Sequence, residues 1–126
     1  MPGPLTPNSG ATALLLEADL ESFVAANSVA AIHFDAAWDV AGLASISPKL
    51  EEAQEIFKDQ VAFGFVDCDQ SPELAKAIPV LNVPAIAYFR NGKLVAAFIG
   101  SRQNIRLRLQ HLLGGEAVGY NDGGDF

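Results

Sequence analysis

The sequence predicts an α/β fold: a three-layer sandwich with a mixed central sheet and helices on both faces. Three observations carry this. Strongly apolar runs of strand length, Val29 to Phe34, Val61 to Val66 and Ala85 to Phe89, are separated by segments of helical character. Between the first two runs, Leu43, Ile46, Leu50, Ala53 and Phe57 recur at spacings of three and four, one apolar stripe on a long helix. After the third run, Asn91–Gly92 is the strongest short hairpin signal in the chain. Strands alternating with helices give parallel pairing covered on both faces, and the hairpin adds an antiparallel edge.

Each element has its own local reason. Thr12 to Glu17 holds three consecutive leucines and reads as a short strand or, on composition alone, equally as a helix. Asp19 is positioned to cap the next helix, with Glu21 near its positive end and Leu20, Phe23 and Val24 on one face. Asn27–Ser28 ends that helix, and Val29 to Phe34 is the central strand. The long helix runs from Ala41 to Lys58, with Pro48 inside it as a predicted kink. Asp67–Cys68–Asp69 closes the strand that follows. Ser71–Pro72–Glu73 is a helix start: hydroxyl cap, proline at the first helical position, acid in the first turn. That helix ends near Ile78, and Leu81 to Pro84 is a connection. The hairpin's second strand is Leu94–Ile99. Gly100–Ser101 then turns into a last helix, with Ser101 as cap and Ile105, Leu109, Leu112 and Leu113 as its buried face. Gly114–Gly115 stops it. Residues 1–10 read as a disordered leader, 11–114 as the folded domain and 115–126 as a flexible acidic, glycine-rich tail.

Composition narrows the function. The 126 residues are 50% hydrophobic and 18% charged, the balance of a globular chain. A net charge of -7 argues against nucleic acid and anionic membrane surfaces as partners, since both need basic patches. No apolar run approaches the ~20 residues of a membrane span, and Met1 to Gly10 lacks the charged start and apolar core of a signal peptide. A cytoplasmic location is the expectation. The single cysteine, Cys68, excludes an intrachain disulfide and a zinc site built from several thiolates. His111, on the last helix, is expected to face solvent; it and His33 lie far apart with no ligand spacing, so neither metal nor cofactor is expected.

Several local signatures together resemble the thioredoxin family over about residues 12 to 113. Phe34 and Trp38 stand where the family has its strand phenylalanine and active-site tryptophan. Pro48 is similar to the proline in the helix after that site. Val66–Asp67–Cys68–Asp69–Gln70–Ser71–Pro72 resembles the family's Val-Asp-x-Asp-x-x-Pro strand end. Val83–Pro84, followed by Ala-Ile-Ala-Tyr-Phe-Arg-Asn-Gly-Lys, resembles its Val/Ile-Pro-Thr and Phe-x-Asn-Gly-Lys run, and Gly100 matches the glycine after the last strand. The resemblance implies a cis Val83–Pro84 bond, an indole N–H of Trp38 bonded to Asp69, and a groove in which the Val83 backbone pairs with an extended peptide.

The departures from the pattern are equally specific. The family's Cys-x-x-Cys is absent. Its first cysteine position is Asp39, whose charge suits the helix N-terminus but cannot form a mixed disulfide. Its second is Gly42 or Leu43, because nine residues separate Trp38 from Pro48, one more than in the family pattern. His33 stands where many redox members carry a buried acid; it reads as a packed strand histidine, with a pH-sensitive buried group as the other reading. Cys68 reads as a small hydrophobe whose thiol is blunted by Asp67 and Asp69. Dithiol–disulfide exchange is therefore not expected.

Three functions follow. The first is a redox-inactive thioredoxin-like module that binds a protein or extended peptide in a groove with Trp38, Val40, Val83, Pro84 and Gly100 as its apolar floor and Asp39 at its rim, and with His33, Asp69 and Pro48 in structural roles. It would serve as chaperone, adaptor or assembly subunit, as a monomer or weak homodimer. The second is an enzyme or redox sensor acting through Cys68 alone. The third is a structural homodimer joined through the same apolar mouth.

Overall fold

The computed structural model describes residues 12–16, 18–77 and 82–115, without the side chains at 75 and 77. The predicted leader, the strand end at Glu17, the helix end at Ile78, Leu81, and residues 116–126 of the predicted tail lie outside the described residues. The elements are β1 (Thr12–Leu14), α1 (Leu20–Ala26), β2 (Val29–Asp35), α2 (Val40–Phe57), β3 (Ala62–Asp67), α3 (Pro72–Ala77), β4 (Ala85–Arg90), β5 (Lys93–Ile99) and α4 (Ile105–Leu113). They follow the predicted order.

The strands form one sheet in the order β1-β3-β2-β4-β5. β1 and β2 both run parallel to β3, whereas β4 runs antiparallel to β2 and to β5. β2 is thus central, buried on both faces, which is why it reads as an unbroken apolar run and not an alternating one. Its alternate residues divide the core in two. Ala30, Ile32 and Phe34 pack with Leu20, Phe23 and Val24 of α1 and Leu74 of α3. Ala31 packs with Ile46, Leu50, Ala53 and Phe57 of α2 and with Ile105, Leu109 and Leu112 of α4. His33 and Asp35 belong to this second face by the same alternation.

The structure decides the leucine run in favour of a strand. Ala13 and Leu15 are buried, while Leu14 and Leu16 are 54% and 50% exposed. That period of two was hidden because both sets are apolar. β4 and β5 meet at Asn91 and Gly92, with φ values of 53° and 81°. Two successive positive φ values match the right-handed twist of the flanking strands, and asparagine and glycine adopt them most easily.

Three local expectations are corrected. Asp19 makes no side-chain cap on α1; its Oδ2 accepts the Leu16 amide at 2.9 Å and so holds the turn before the helix. α4 is capped by Asn104, whose side chain accepts the Leu107 amide at 3.1 Å, and not by Ser101. Ser101 is held in the connection instead: Lys49 Nζ donates to its carbonyl at 2.9 Å, and the buried Gln103 side chain donates to the Phe98 and Gly100 carbonyls at 2.8 and 2.7 Å. His111 is half-buried against the domain, not turned to solvent.

Candidate functional site

The strand register gathers the candidate residues at one end of the sheet. Asp35 at the end of β2 pairs with Asp67 at the end of β3. Phe34 pairs with Ala85 at the start of β4, and Ala85 with Ile99 at the end of β5. The segments leaving these positions carry Trp38, Asp39 and Val40, then Cys68 and Asp69, then Val83 and Pro84, then Gly100. Four segments from distant parts of the chain therefore converge on one sheet end, outside the carboxyl ends of the parallel strands. Open α/β sheets hold their ligands there.

At this end the tryptophan is presented outward. Trp38 is 66% exposed and Val40 72% exposed. The Trp38 indole N–H donates to Asp69 Oδ1 at 3.4 Å, a long bond across the β2 and β3 ends. Val83 is half-buried, Pro84 is buried, and the bond between them is cis. Gly100, at φ 109°, donates its amide to the Pro84 carbonyl at 2.7 Å. Only glycine takes that φ readily, so β5 closes directly on the proline. Among the described residues, the Val83 amide and carbonyl meet no backbone partner. Val40 stands out from the helix start and is not set into an apolar floor.

Asp39 also differs from its expected place at the rim. It is the N-cap of α2: its Oδ1 accepts the Gly42 amide at 3.2 Å, so the carboxylate folds back over the helix mouth. A Cβ at Gly42 would lie 2.1 Å from Asp39 Oδ2. The family's first sulfur position is thus filled by a capping carboxylate, and the nearby glycine leaves room for that carboxylate.

Beneath Asp39 lies a group the sequence reading missed. Asp35 is fully buried. Its Oδ2 is 2.9 Å from His33 Nε2, and its Oδ1 accepts the Ala36 amide at 2.9 Å. Burial, followed by the Asp39 carboxyl, raises the Asp35 pKa to about 7. Burial lowers His33 to about 4, against the pull of Asp39. The imidazole is therefore neutral near pH 7, and Nε2 and Asp35 Oδ2 share one hydrogen bond whose donor is set by the imidazole tautomer and the carboxyl's proton. The available signal was a charged residue ending an apolar strand, two positions from a histidine and so on the same face. Pro48 leaves the Ala44 carbonyl without the in-helix donor of position 48, yet α2 runs through it as one element.

Cys68 is half-buried at the strand end and packs against the α1 face of the core. Its pKa is raised by burial first, then by Asp35, Asp67 and Asp69. A thiol so placed is a poor nucleophile at neutral pH. Among the described residues no group of three or more histidine, cysteine or acidic side chains is arranged to hold a metal ion, and no helix is long and apolar enough to cross a membrane. A cleft of about 430 Å³ lies elsewhere, between β1 and α2, where Leu14, Leu43, Leu50 and Phe65 surround the outer side of His33.

The fold and the converged segments define a thioredoxin-type α/β domain. The family model for thioredoxin matches residues 11–111, and the chain belongs to that family. It is 26% identical over 100 residues to a thioredoxin of Alicyclobacillus acidocaldarius, spanning 79% of this chain and 94% of that protein. It is 29% identical over 94 residues to protein disulfide-isomerase 1 of Caenorhabditis elegans, spanning 72% of this chain but 19% of that protein. Among solved structures, a mutant thioredoxin from Halobacterium salinarum superimposes with a TM-score of 0.73 at 22% identity, covering 89% of this chain and 96% of that one. A thioredoxin from Trypanosoma brucei brucei gives 0.73 at 20% identity, covering 83% and 93%. At these identities the structural likeness speaks to the fold.

Proposed function

We propose that this chain is a redox-inactive member of the family that binds a protein or extended peptide across the mouth formed by Trp38, Asp39, Val40, Val83, Pro84 and Gly100. The observation that carries the reading is the contrast at the start of α2. The position that would hold the attacking sulfur is a capping carboxylate, while the adjacent Trp38 remains exposed. Disulfide exchange needs a thiolate and a resolving sulfur, and this chain has one cysteine, with a raised pKa. An exposed aromatic beside an exposed valine is what an interface anchor requires. The backbone of Val83 supplies an amide and a carbonyl to an added strand.

The reading extends to an adaptor, chaperone or assembly subunit in a reducing compartment, with the cytoplasm as its location. A lone cysteine suits such a compartment. The test is affinity capture from native cell extract with the wild type, Trp38→Ala and Val83→Asp. Both variants lose the captured partners; equal recovery by all three removes the groove. A dithiol turnover assay separates the competing thiol reading: disulfide reduction abolished by Cys68→Ser would establish it. Sedimentation over a wide concentration range separates the homodimer, which a strict monomer excludes.

A further inference from the structure

The cleft between β1 and α2 has the make-up of a ligand site. Its volume of about 430 Å³ falls within the range of pockets that hold small molecules. Its walls are apolar: Leu14 from β1, Leu43 and Leu50 from α2, and Phe65 from β3. Gln54 donates to the Thr12 hydroxyl, so these two wall residues satisfy each other where β1 meets α2. Of the remaining polar groups, His33 lies at the inner end and is 6% exposed. Its Nε2 is held by Asp35 at 2.9 Å, whereas Nδ1 has no hydrogen-bond partner among the described residues and is not sealed from solvent. Phe65 stands edge-on to the imidazole, with ring centroids 5.2 Å apart, so the inner end presents aromatic surface. Glu51 lies at the outer, exposed end and forms no ion pair with a described residue.

These features select the ligand. Among the described residues no lysine or arginine lines the cleft, and burial keeps His33 uncharged near pH 7. Glu51 is then the charged group of the lining, so an anion is repelled and a cation is drawn to the outer end. An apolar ring fits the walls. A hydroxyl suits Nδ1, because it both donates and accepts and so satisfies either imidazole tautomer. We propose that the cleft binds a small free hydroxyaryl-alkylamine, with its ring between Leu14, Leu43, Leu50 and Phe65, its hydroxyl on His33 Nδ1 and its ammonium at Glu51. Both nitrogens of His33 are then engaged, one by Asp35 and one by the ligand. The ammonium keeps much of its water beside the exposed Glu51, so this contact contributes selectivity more than affinity. Nothing in this site depends on the mouth at Trp38, which shares none of these residues.

The probe is tyramine, titrated into the full nitrogen-15-labelled chain and followed by amide shifts. The amides of Leu43, Ser47, Leu50, Glu51 and Phe65 move together, with a Kd on the order of 1 mM or below, as suits so small a ligand. Phenethylamine, which lacks the hydroxyl, binds about 2- to 10-fold more weakly, the worth of one neutral hydrogen bond. Hydroxyphenylpropionate, with a carboxylate in place of the ammonium, does not saturate at the same concentrations. Glu51→Gln weakens tyramine about 2- to 5-fold, and added salt narrows the gap between variant and wild type. Glu55→Gln removes an exposed acid of α2 that pairs with Lys58 outside the cleft, and leaves the affinity unchanged. Ser47→Phe puts a ring into the cleft and abolishes binding. Imidazole nitrogen spectra show His33 Nδ1 shifting with tyramine and not with phenethylamine. Should the variants not fold, the three ligands on the wild type decide the matter. Cleft amides that stay still, a carboxylate that binds as tightly as the amine, phenethylamine equal to tyramine, or full affinity in a folded Ser47→Phe overturns the proposal.

Discussion

Asp35 and His33 hold their proton in the reverse order from water. Unfolded, the aspartate ionises near 3.8 and the histidine near 6.5; folded, the histidine is neutral above about 4 and the aspartate holds its proton to about 7. Stability rises with pH wherever the unfolded chain binds more protons. The depressed histidine therefore makes stability rise between about 4 and 6.5, and the raised aspartate makes it fall between about 4 and 7. The two slopes oppose each other, so the pair's net contribution is nearly level over the shared window. Removing either partner exposes the other. Relative to wild type, urea midpoints of Asp35→Asn fall as pH drops from 6.5 toward 4, and those of His33→Gln fall as pH rises toward 7. Each slope is at most about 1.4 kcal/mol per pH unit. Opposite signs would reverse the assignment of the proton. Cys68 gives a second check at this scale: its alkylation at pH 7 is slower than that of the denatured chain, because both burial and three aspartates disfavour the thiolate. The blunting of Cys68 by Asp67 and Asp69 was legible from adjacency in sequence. The contribution of Asp35 was not, because β2 and β3 must pair before it counts.

Element types were legible wherever the residue pattern was strong, and so was the glycine stop of α4, but the N-caps of α1 and α4 were not. The stripe from Leu43 to Phe57 gives α2 to within a residue, and Asn91–Gly92 gives the hairpin, because both signals are local. Capping by Asn104 depends on Lys49 and Gln103 holding the backbone of 98 to 103 in place, which moves the start of α4 past Ser101. Asn104→Ala therefore lowers stability by ~1 kcal/mol, whereas Ser101→Ala leaves it close to wild type; denaturant midpoints distinguish the two. In the hairpin, Gly92→Ala places a Cβ at φ 81° and costs about 1 kcal/mol or more, read as a lowered denaturant midpoint.

At the scale of the molecule, β1 is docked through a missing side chain. A Cβ at Gly64 would lie 2.7 Å from Leu15 Cδ1 and 3.0 Å from Ile32 Cδ1, both in fully buried side chains. Gly64→Ala overpacks that junction and costs ~1–3 kcal/mol; a thermal melt with an unchanged midpoint would show that the junction yields. The α/β class, the order of elements after the leucine run, the parallel first half, the antiparallel end and the absence of a dithiol were all legible in the order of residues. Those follow from composition, local turn chemistry and hydrophobic period, which act within a few residues. Packing of the folded chain settled that Asp39 caps α2, that Gly42 makes space for its carboxylate, and that Asp35 is buried at the end of β2 beside His33. Their hydrogen bonds and proton affinities depend on what the packed chain puts beside them and on how much water it excludes, and neither is written in nearest-neighbour order.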